Sequence, residues 1–316
     1  MNSKSYPNLV CVTGHTAAGK TAFAAHLADV INGEIISADS RQIYRHMDKG
    51  TGKDYQDYIV NGRKIPYHLI DIADPGYEYN VFEYQKDFIT SFQDIRSRDR
   101  IPVLCGGTGM YIEAVLKGYS LIQVPPNQEL RQKLSNLSQE ELISILRSYK
   151  TLHNITDTEQ RKRLVRAIEI AEHYQEHPEI NTTYPELHYI IFGIRFDRDS
   201  RRERITARLK ERLKGGMIEE TQTLMDMGIS EEKLVYYGLE YKYLAWYLNG
   251  RLSYDEMFLQ LNTAIHQFAK RQMTWFRKME REGMTIHWLD GYLPLEEKLR
   301  ISVELLNNFQ PGLKEG

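Results

Sequence analysis

The stretch GHTAAGKT, residues 14–21, decides the fold of this chain. Two glycines bracket four residues and are followed by a lysine and a threonine, which matches the pattern G-x-x-x-x-G-K-[ST] in full. The apolar run NLVCVT precedes it, and AFAAHLADVI, which has helical spacing, follows it. Between a strand and a helix, successive backbone N–H groups and the helix N-terminus converge on an anion. The segment therefore predicts a phosphate-binding loop.

The pattern also predicts which residues of the loop hold the ligand. Gly14 and Gly19 allow close approach of the backbone, Lys20 adds a positive charge, and Thr21 offers a hydroxyl ligand to Mg²⁺. The predicted diphosphate contacts of the loop are Gly14, Thr16, Ala17, Ala18, Gly19, Lys20 and Thr21. The pattern does not require a nucleotide: ATP or GTP is the common ligand, but the loop fixes any pyrophosphate-like group.

Composition indicates an ordinary globular protein of 316 residues, long enough for one large domain or two smaller ones. No apolar run approaches the roughly 20 residues that span a membrane. The glycine loop begins within a dozen residues of the first residue, so no secretory signal is expected. Cys11 and Cys105 both lie in apolar runs, which predicts buried, unreactive thiols and a cytoplasmic location.

Positive charge is concentrated although the net charge is only −2. The segment from Arg195 to Lys214 contains nine basic and four acidic residues. RKRLVR at 161–166 and KRQMTWFRK at 270–278 each contain four basic residues. Such clusters are either solvated helix faces or binding surfaces for RNA or polyphosphate.

The order of strand and helix patterns predicts an α/β fold. Over the first 120 residues strands alternate with helices, which indicates a parallel sheet with helices on both faces and ligands beyond the carboxyl ends of its strands. PPN at 125–127 breaks this order, and short helices follow until HYIIFGIRF resumes the sheet. From about residue 200 the chain is helical, with HWLD as a last edge strand. The expected units are a core, 1–122 with 186–316, and an all-helical insertion, 123–185.

Three polar residues at strand ends are candidate site residues. Asp39 ends GEIISADS, and its carboxylate either takes part in chemistry or caps the following turn. Asp71 in HLIDIADP is a rival acid for a magnesium site. Thr108 in GGTGMY lies at a strand-to-helix turn, where it either approaches a ligand or merely caps the helix.

Two arginines are candidates for a second grip on phosphate. Arg204 and Arg208 are four residues apart, on one face of a predicted helix, and either clamp a diphosphate opposite the loop or remain solvated. Leu209 and Leu213 are predicted to form the buried stripe of that helix.

Together these segments resemble the tRNA dimethylallyltransferase family, also called tRNA isopentenyltransferases. The resemblance runs from the glycine loop almost to the end of the chain. Its segments are GHTAAGKT, GEIISADSRQIYRHMDKGTGKD at 33–54, PYHLIDIADP at 66–75, IPVLCGGTGMYIEAVLKG at 101–118, RKRLVRAIEI at 161–170, RITARL at 204–209 and QFAKRQMTWFRK at 267–278.

The resemblance implies a P-loop core like that of nucleotide kinases, with a small helical insertion. It implies transfer of a dimethylallyl group from dimethylallyl diphosphate to the exocyclic amine of an adenosine beside the tRNA anticodon. The implied catalytic residues are Asp39, Lys20, Thr21, Arg208 and Thr108, with Asp39 as proton acceptor, Thr108 touching the base and Mg²⁺ on Thr21. Arg204 and Arg208 would share the diphosphate with the loop.

The resemblance also implies that the target base is flipped out of the anticodon loop. The partners expected are the tRNA anticodon stem-loop and dimethylallyl diphosphate, with no membrane, and the protein is expected to be a monomer. The implied tRNA contacts are Asp39, Ser40, Arg41, Gln42, Thr108, Lys162, Arg163, Arg166, Lys270, Arg271, Gln272 and Arg277.

The sequence departs from the family pattern in three places. His15 replaces a proline, GTGKD at 50–54 replaces the commoner G-T-A-K-P, and YGLEYK at 237–242 replaces I-G-Y-[KR]-[EQ], so that Glu240 stands in place of a basic residue. Other interpretations are a nucleotide or small-molecule kinase, a prenyltransferase acting on free adenine nucleotide, and a regulatory GTPase. The GTPase lacks support, because no N-K-x-D motif follows.

Overall fold

The computed structural model describes residues 6–119, 121, 124–149, 161–176 and 184–310. Its strands are β1 Leu9–Gly14, β2 Gly33–Ser37, β3 Ile59–Val60, β4 Arg63–Lys64, β5 Tyr67–His68, β6 Ile101–Cys105, β7 Tyr189–Arg195 and β8 Ile286–Asp290. Its α-helices are α1 Lys20–Val30, α2 Val81–Ser97, α3 Gly109–Leu116, α4 Gln128–Leu134, α5 Gln139–Tyr149, α6 Arg161–Glu176, α7 Arg198–Lys214, α8 Met217–Asp226, α9 Glu231–Tyr237, α10 Leu239–Leu248, α11 Tyr254–Arg281 and α12 Leu295–Asn307.

Six strands form one parallel sheet in the order β5-β2-β6-β1-β7-β8. Strand β1 is central and pairs with β6 on one side and β7 on the other. Because all six strands run the same way, the loops that follow β1, β2, β6 and β7 lie at one edge of the sheet. The glycine loop and the segments that begin at Ala38 and Gly106 are therefore neighbours there. Strand β6 separates β2 from β1, so the Asp39 segment reaches the loop from two strands away.

Alternation along β1 divides the core into two layers. Leu9 and Cys11 face the cluster that includes α2, α3 and part of α11, whereas Val10 and Val12 face the cluster of α1 and α12. Residues two apart in a strand share a face, and a parallel sheet is covered on both faces. Both cysteines are buried free thiols, as predicted, and burial raises the pKa of Cys105 to about 12.

A third hydrophobic cluster joins the helices of the C-terminal part. Ile205, Leu209 and Leu213 of α7 pack with residues of α8, α10 and α11, and Ala17 of the glycine loop belongs to the same cluster. The predicted buried stripe of α7 is thus confirmed. Arg208 and Arg212 lie next to this apolar stripe on α7, since they line one cavity together with Ile205 and Leu209.

The chain divides into two compact units, Met1–Tyr119 with Pro185–Gly316, and Ser120–Tyr184. These bounds lie within three residues of those expected from the sequence. In the smaller unit α4, α5 and α6 pack around a cluster of leucines with Ala167 and Ile168. Ile170 of α6 is 37 % exposed and lies outside this cluster.

Most expected elements are present, and the α/β class with a helical insertion is confirmed. The apolar run YHLIDIADP is longer than the strand it contains, because only Tyr67–His68 pairs as a strand. Leu69 and Asp71 have φ of 61° and 55°, so the backbone turns out of the sheet. Helices α9 and α12 were not anticipated. Among the described helices, none is long and apolar enough to cross a bilayer.

Candidate active site

The glycine loop joins β1 to α1 in a conformation that requires its first glycine. Gly14 has φ of 144°, and a Cβ there would lie 2.5 Å from the carbonyl oxygen of Ile194 on the neighbouring strand β7. Only a residue without a side chain lets the loop leave the sheet at this point. The loop ends at Gly19, and α1 begins at Lys20, so the N-terminus of α1 faces the loop as predicted.

Lys20 folds back over the loop. Its Nζ donates a hydrogen bond to the His15 carbonyl oxygen at 2.9 Å. Burial lowers the pKa of the Lys20 ammonium to about 8, an effect that the nearby Asp39 carboxylate opposes and the Arg208 guanidinium reinforces. Lys20 therefore lies within electrostatic reach of both Asp39 and Arg208, although the three residues come from separate segments.

Asp39 follows β2 and is held in place through one of its two oxygens. Its Oδ1 accepts a hydrogen bond from the Arg41 backbone N–H at 3.0 Å. The Ser40 backbone N–H donates to the Thr108 hydroxyl at 3.0 Å, which ties this segment to the loop after β6. Within the described chain Oδ2 of Asp39 accepts no hydrogen bond and is available to a substrate.

Gln272 of α11 links the two loops on either side of the site. Its Oε1 accepts from the Thr16 N–H at 2.9 Å, and its Nε2 donates to the Gly107 carbonyl at 2.8 Å. The side chain is buried and both ends of its amide are engaged by backbone. We expected Gln272 to hold RNA, but this geometry makes it a brace that positions the glycine loop.

The arginines of α7 approach the loop, as predicted. Arg204 Nε donates to the Ala17 carbonyl at 3.1 Å, and its guanidinium lies 4.4 Å from the centre of the Phe196 ring. Arg208 lines a cavity together with Thr16 and Ala17. In this state Arg208 Nη2 donates to Asp54 Oδ2 at 2.6 Å.

The cavity combines a polar end with apolar walls. Its volume is only about 20 Å³, and Thr16, Arg208, Arg212 and Glu240 form the polar part. The apolar walls come from Ala17, Ile205, Leu209, Met217 and Ile265. The lining thus places charged groups next to apolar side chains, but the space between them is small.

Glu220 of α8 anchors residues 48–50, which belong to the segment opposite α7. Its carboxylate accepts from the backbone N–H groups of Asp48, Lys49 and Gly50 at 2.7 to 3.0 Å. The Tyr241 hydroxyl donates to the same carboxylate at 2.7 Å. No motif in the sequence marks Glu220.

Asp71, the rival acid, serves the fold. It accepts from Lys53 Nζ and from the Tyr55 hydroxyl, both at 2.5 Å, and Lys53 is buried. A carboxylate paired with a buried ammonium is already compensated and stabilises the 48–55 segment. This arrangement favours Asp39 over Asp71 as the reactive acid.

The predicted RNA contacts fall into exposed and engaged side chains. Those that are exposed are Lys162, Arg163, Lys270, Arg271 and Arg277. Arg41 is half-buried, with its guanidinium 5.7 Å from the Tyr236 ring centre. Gln42 uses its amide on Ser37 and on the Gly52 carbonyl, at 3.2 Å each.

Arg166 is committed to the fold of the small unit. It donates to the Val124 carbonyl at 2.7 Å and to Glu169 at 3.1 Å, and Arg131 pairs with the same buried Glu169. Arg166, which the resemblance implies as a tRNA contact, therefore uses its guanidinium within the small unit. Arg163, one position before the buried Leu164, points to solvent.

Fold and site together define a P-loop protein of the nucleotide-kinase-like class, with an acid at the second strand and a helical insertion. Residues 42–279 match the model of the family described as IPP transferase. The chain belongs to this family.

Relatives of known name support the assignment over nearly the whole chain. The protein named tRNA dimethylallyltransferase 2 of Bacteroides fragilis is 61% identical over 96% of this chain and 99% of its own length. The protein of the same name from Phocaeicola vulgatus is 56% identical over 95% of this chain and 98% of its own length.

Solved structures agree in fold. The full-length tRNA isopentenylpyrophosphate transferase of Bacillus halodurans has a TM-score of 0.68 and 30% identity, covering 95% of this chain and 94% of that one. A eukaryotic dimethylallyltransferase acting on tRNA has a TM-score of 0.77 over 97% of this chain and 81% of that one. At 18% identity the second likeness concerns the fold alone.

Proposed function

We propose that this protein transfers a dimethylallyl group from dimethylallyl diphosphate to the exocyclic amine of the adenosine adjacent to the tRNA anticodon. The observation that carries the proposal is the meeting of three segments at the carboxyl edge of the sheet, where Lys20 lies within electrostatic reach of both Asp39 and Arg208, and Arg208 lines a small cavity with Thr16 and Ala17. The family to which the chain belongs gives this meeting its chemistry. The protein is proposed to work as a cytoplasmic monomer.

The donor would lie with its diphosphate on the glycine loop and its five-carbon chain against the apolar walls. Backbone N–H groups of the loop, Lys20 and the α7 arginines neutralise the charge that grows as diphosphate leaves, which is the largest contribution expected of such a site. Ile205, Leu209 and Ile265 keep water from the allylic carbon, which tolerates positive charge and would otherwise be hydrolysed.

The bond changes balance with one base. The amine nitrogen attacks the first carbon of the dimethylallyl group, the bond from that carbon to the diphosphate oxygen breaks, and the diphosphate leaves with the electron pair. The amine then carries an extra proton. Oδ2 of Asp39, which accepts no hydrogen bond within the described chain, is the acceptor that we assign to this proton.

Mg²⁺ fits this site only when it binds together with the diphosphate. Among the described residues no three His, Cys, Asp or Glu side chains form a metal-binding group. Thr21 is half-buried in the first turn of α1, and its hydroxyl makes no hydrogen bond to a described residue. Mg²⁺ usually binds through substrate phosphates and few protein ligands, so we assign Thr21 as its protein ligand. When bound, the ion would add positive charge at the leaving group.

One incubation tests the proposal against its rivals. The protein is mixed with Mg²⁺ and either dimethylallyl diphosphate or ATP, with unmodified tRNA or AMP as acceptor, and the nucleosides are analysed by mass spectrometry. We expect a mass gain of one prenyl group on an adenosine of tRNA with the prenyl donor. Prenylated AMP would support the free-nucleotide alternative, and phosphorylated acceptor with ATP would support a kinase.

A further inference from the structure

Two of the segments at which the sequence departs from the family pattern meet at one side chain, Arg212 of α7. In GTGKD, a Cβ at Gly52 would lie 1.8 Å from Arg212 Nη2, and Asp54 Oδ2 lies 3.7 Å from the same nitrogen. In YGLEYK, Glu240 lines the same cavity as Arg212. An alanine at position 52 would displace the guanidinium from its present place, and a proline at position 54 would remove the acid beside it.

Arg212 lacks an acceptor where one is expected. Its Nη2 is buried and makes no hydrogen bond within the described chain. The separation of 3.7 Å from Asp54 is too long for a hydrogen bond. Glu240 is not within ion-pair distance of Arg212 in the described residues, although its charge favours the protonated guanidinium. A buried donor without a partner costs free energy, so this nitrogen is set to receive an acceptor.

The acceptor that Arg212 lacks is held by Arg208, one turn earlier on the same helix. Nη2 of Arg208 donates a hydrogen bond to Oδ2 of Asp54 at 2.6 Å. In the proposed function Arg208 must turn to the diphosphate, and Asp54 would then lose its hydrogen-bond donor. A displacement of Asp54 by about 1 Å toward Nη2 of Arg212 would restore a charged hydrogen bond.

We propose that Arg212 is a positioning residue that takes over Asp54 when a diphosphate engages Arg208. The exchange leaves the number of charged hydrogen bonds to Asp54 unchanged and satisfies the orphan donor of Arg212. This inference rests on the proposed function, since it assigns Arg208 to the diphosphate.

The surroundings allow this movement and confine it. Glu220 fixes the backbone N–H groups of Asp48, Lys49 and Gly50, so the segment is anchored before the moving residue. Asp54 itself is 52 % exposed and is not packed into the core. Gly52 has φ of 74° and gives the guanidinium its space.

The exchange predicts an interaction between two substitutions. The variants are Arg212→Met, Asp54→Asn and the double variant, with Lys214→Met as a control that removes one exposed positive charge from the same helix. Affinity for inorganic pyrophosphate with Mg²⁺ is measured by calorimetry, and steady-state kinetics are measured with dimethylallyl diphosphate and tRNA. Thermal unfolding is followed for each variant.

Arg212→Met should weaken pyrophosphate binding about tenfold, because Asp54 then keeps Arg208, and a charged hydrogen bond is worth that much. KM for the prenyl donor should rise in parallel with little change in kcat. Asp54→Asn should bind pyrophosphate as well as the unmodified protein or better. In the Asp54→Asn background, Arg212→Met should have no further effect.

Two results would overturn the exchange. An equal loss from Arg212→Met in both backgrounds would mean that Arg212 touches the diphosphate directly. A loss of thermal stability with unchanged pyrophosphate affinity would mean that Arg212 only holds the fold. If Arg212→Met does not fold, Asp54→Asn alone decides, since a clear loss of pyrophosphate affinity in that variant contradicts the exchange. Failure of the proposed function would show separately, as Arg208→Ala binding pyrophosphate normally.

Discussion

Helices α6 and α7 both carry arginines at helical spacing, but the groups that meet those arginines lie in different places. On α6, Arg166 pairs with Glu169 of its own helix, an acid that is 2 % exposed and shared with Arg131. On α7, Arg204 reaches the Ala17 carbonyl and Arg208 reaches Asp54, both from distant parts of the chain.

The difference separates committed from exchangeable arginines. Removing a partner from a buried, shared carboxylate leaves an uncompensated charge, so Arg166 is held where it is. Asp54 is half exposed, and exposed pairs contribute little, so Arg208 can leave it for a better anion. A basic cluster in a sequence therefore indicates a binding surface only where its acids are solvent-accessible or absent.

The largest effect should come from the loop that α7 faces. Lys20→Ala should lower kcat/KM by about 10³, because it removes a positive charge of the glycine loop that would stabilise the leaving diphosphate. Prenyl transfer to tRNA is measured with Mg²⁺ present, and Lys86→Ala on the exposed face of α2 serves as a control. Unaltered transfer by Lys20→Ala would remove the phosphate role from this region.

The next largest effect should come from Asp39, the acid at the same edge of the sheet. Asp39→Asn keeps the shape of the side chain but removes the base, so kcat should fall by about 10² or more. Pyrophosphate affinity should be nearly retained, since Oδ1 can still accept from the Arg41 N–H. If pyrophosphate or Mg²⁺ binding collapses while turnover at saturation survives, Asp39 is a metal ligand and the assignment as base is wrong.

A smaller effect should distinguish the arginines within α6. Lys162→Ala with Arg163→Ala should weaken tRNA binding and reduce its salt dependence by about one to two phosphate contacts. Arg166→Ala should instead lower thermal stability and leave the salt slope unchanged, because its guanidinium is held by Glu169 and Val124. Titrations of tRNA at several salt concentrations decide this, and a flattened slope with Arg166→Ala would contradict the comparison.

The smallest effect concerns His15, which replaces the proline of the glycine loop. Burial lowers the pKa of His15 to about 4. Since the unfolded chain binds the proton near pH 6.5, the free energy of unfolding should rise with pH between about 4 and 6.5 by at most about 1.4 kcal/mol per unit. Above that window the contribution is complete. Urea unfolding at several pH values should show that the free energy of unfolding rises more steeply with pH for the protein than for His15→Pro. Parallel plots of this free energy against pH would contradict a buried, neutral His15.

The core of the site was predictable from short-range patterns, and its supports were not. Lys20 and Thr21 follow from one motif, and Asp39 and Thr108 follow from their positions at strand ends. The use of Gln272 as a brace could not be foreseen, because Thr16 and Gly107 are far from it in sequence. Its neighbours Lys270 and Arg271 are basic and exposed, which made the whole segment resemble an RNA contact.

Periodicity and glycines at fixed spacing were enough to predict the phosphate loop, the parallel sheet and the place of the insertion. The sequence by itself also determined the family, through many ordered segments. Which arginines have partners is set by packing, which places an acid against Arg166 and against Arg208 and leaves Nη2 of Arg212 without an acceptor in the described chain. Charge acts through distance and burial, and neither quantity is written in the order of residues.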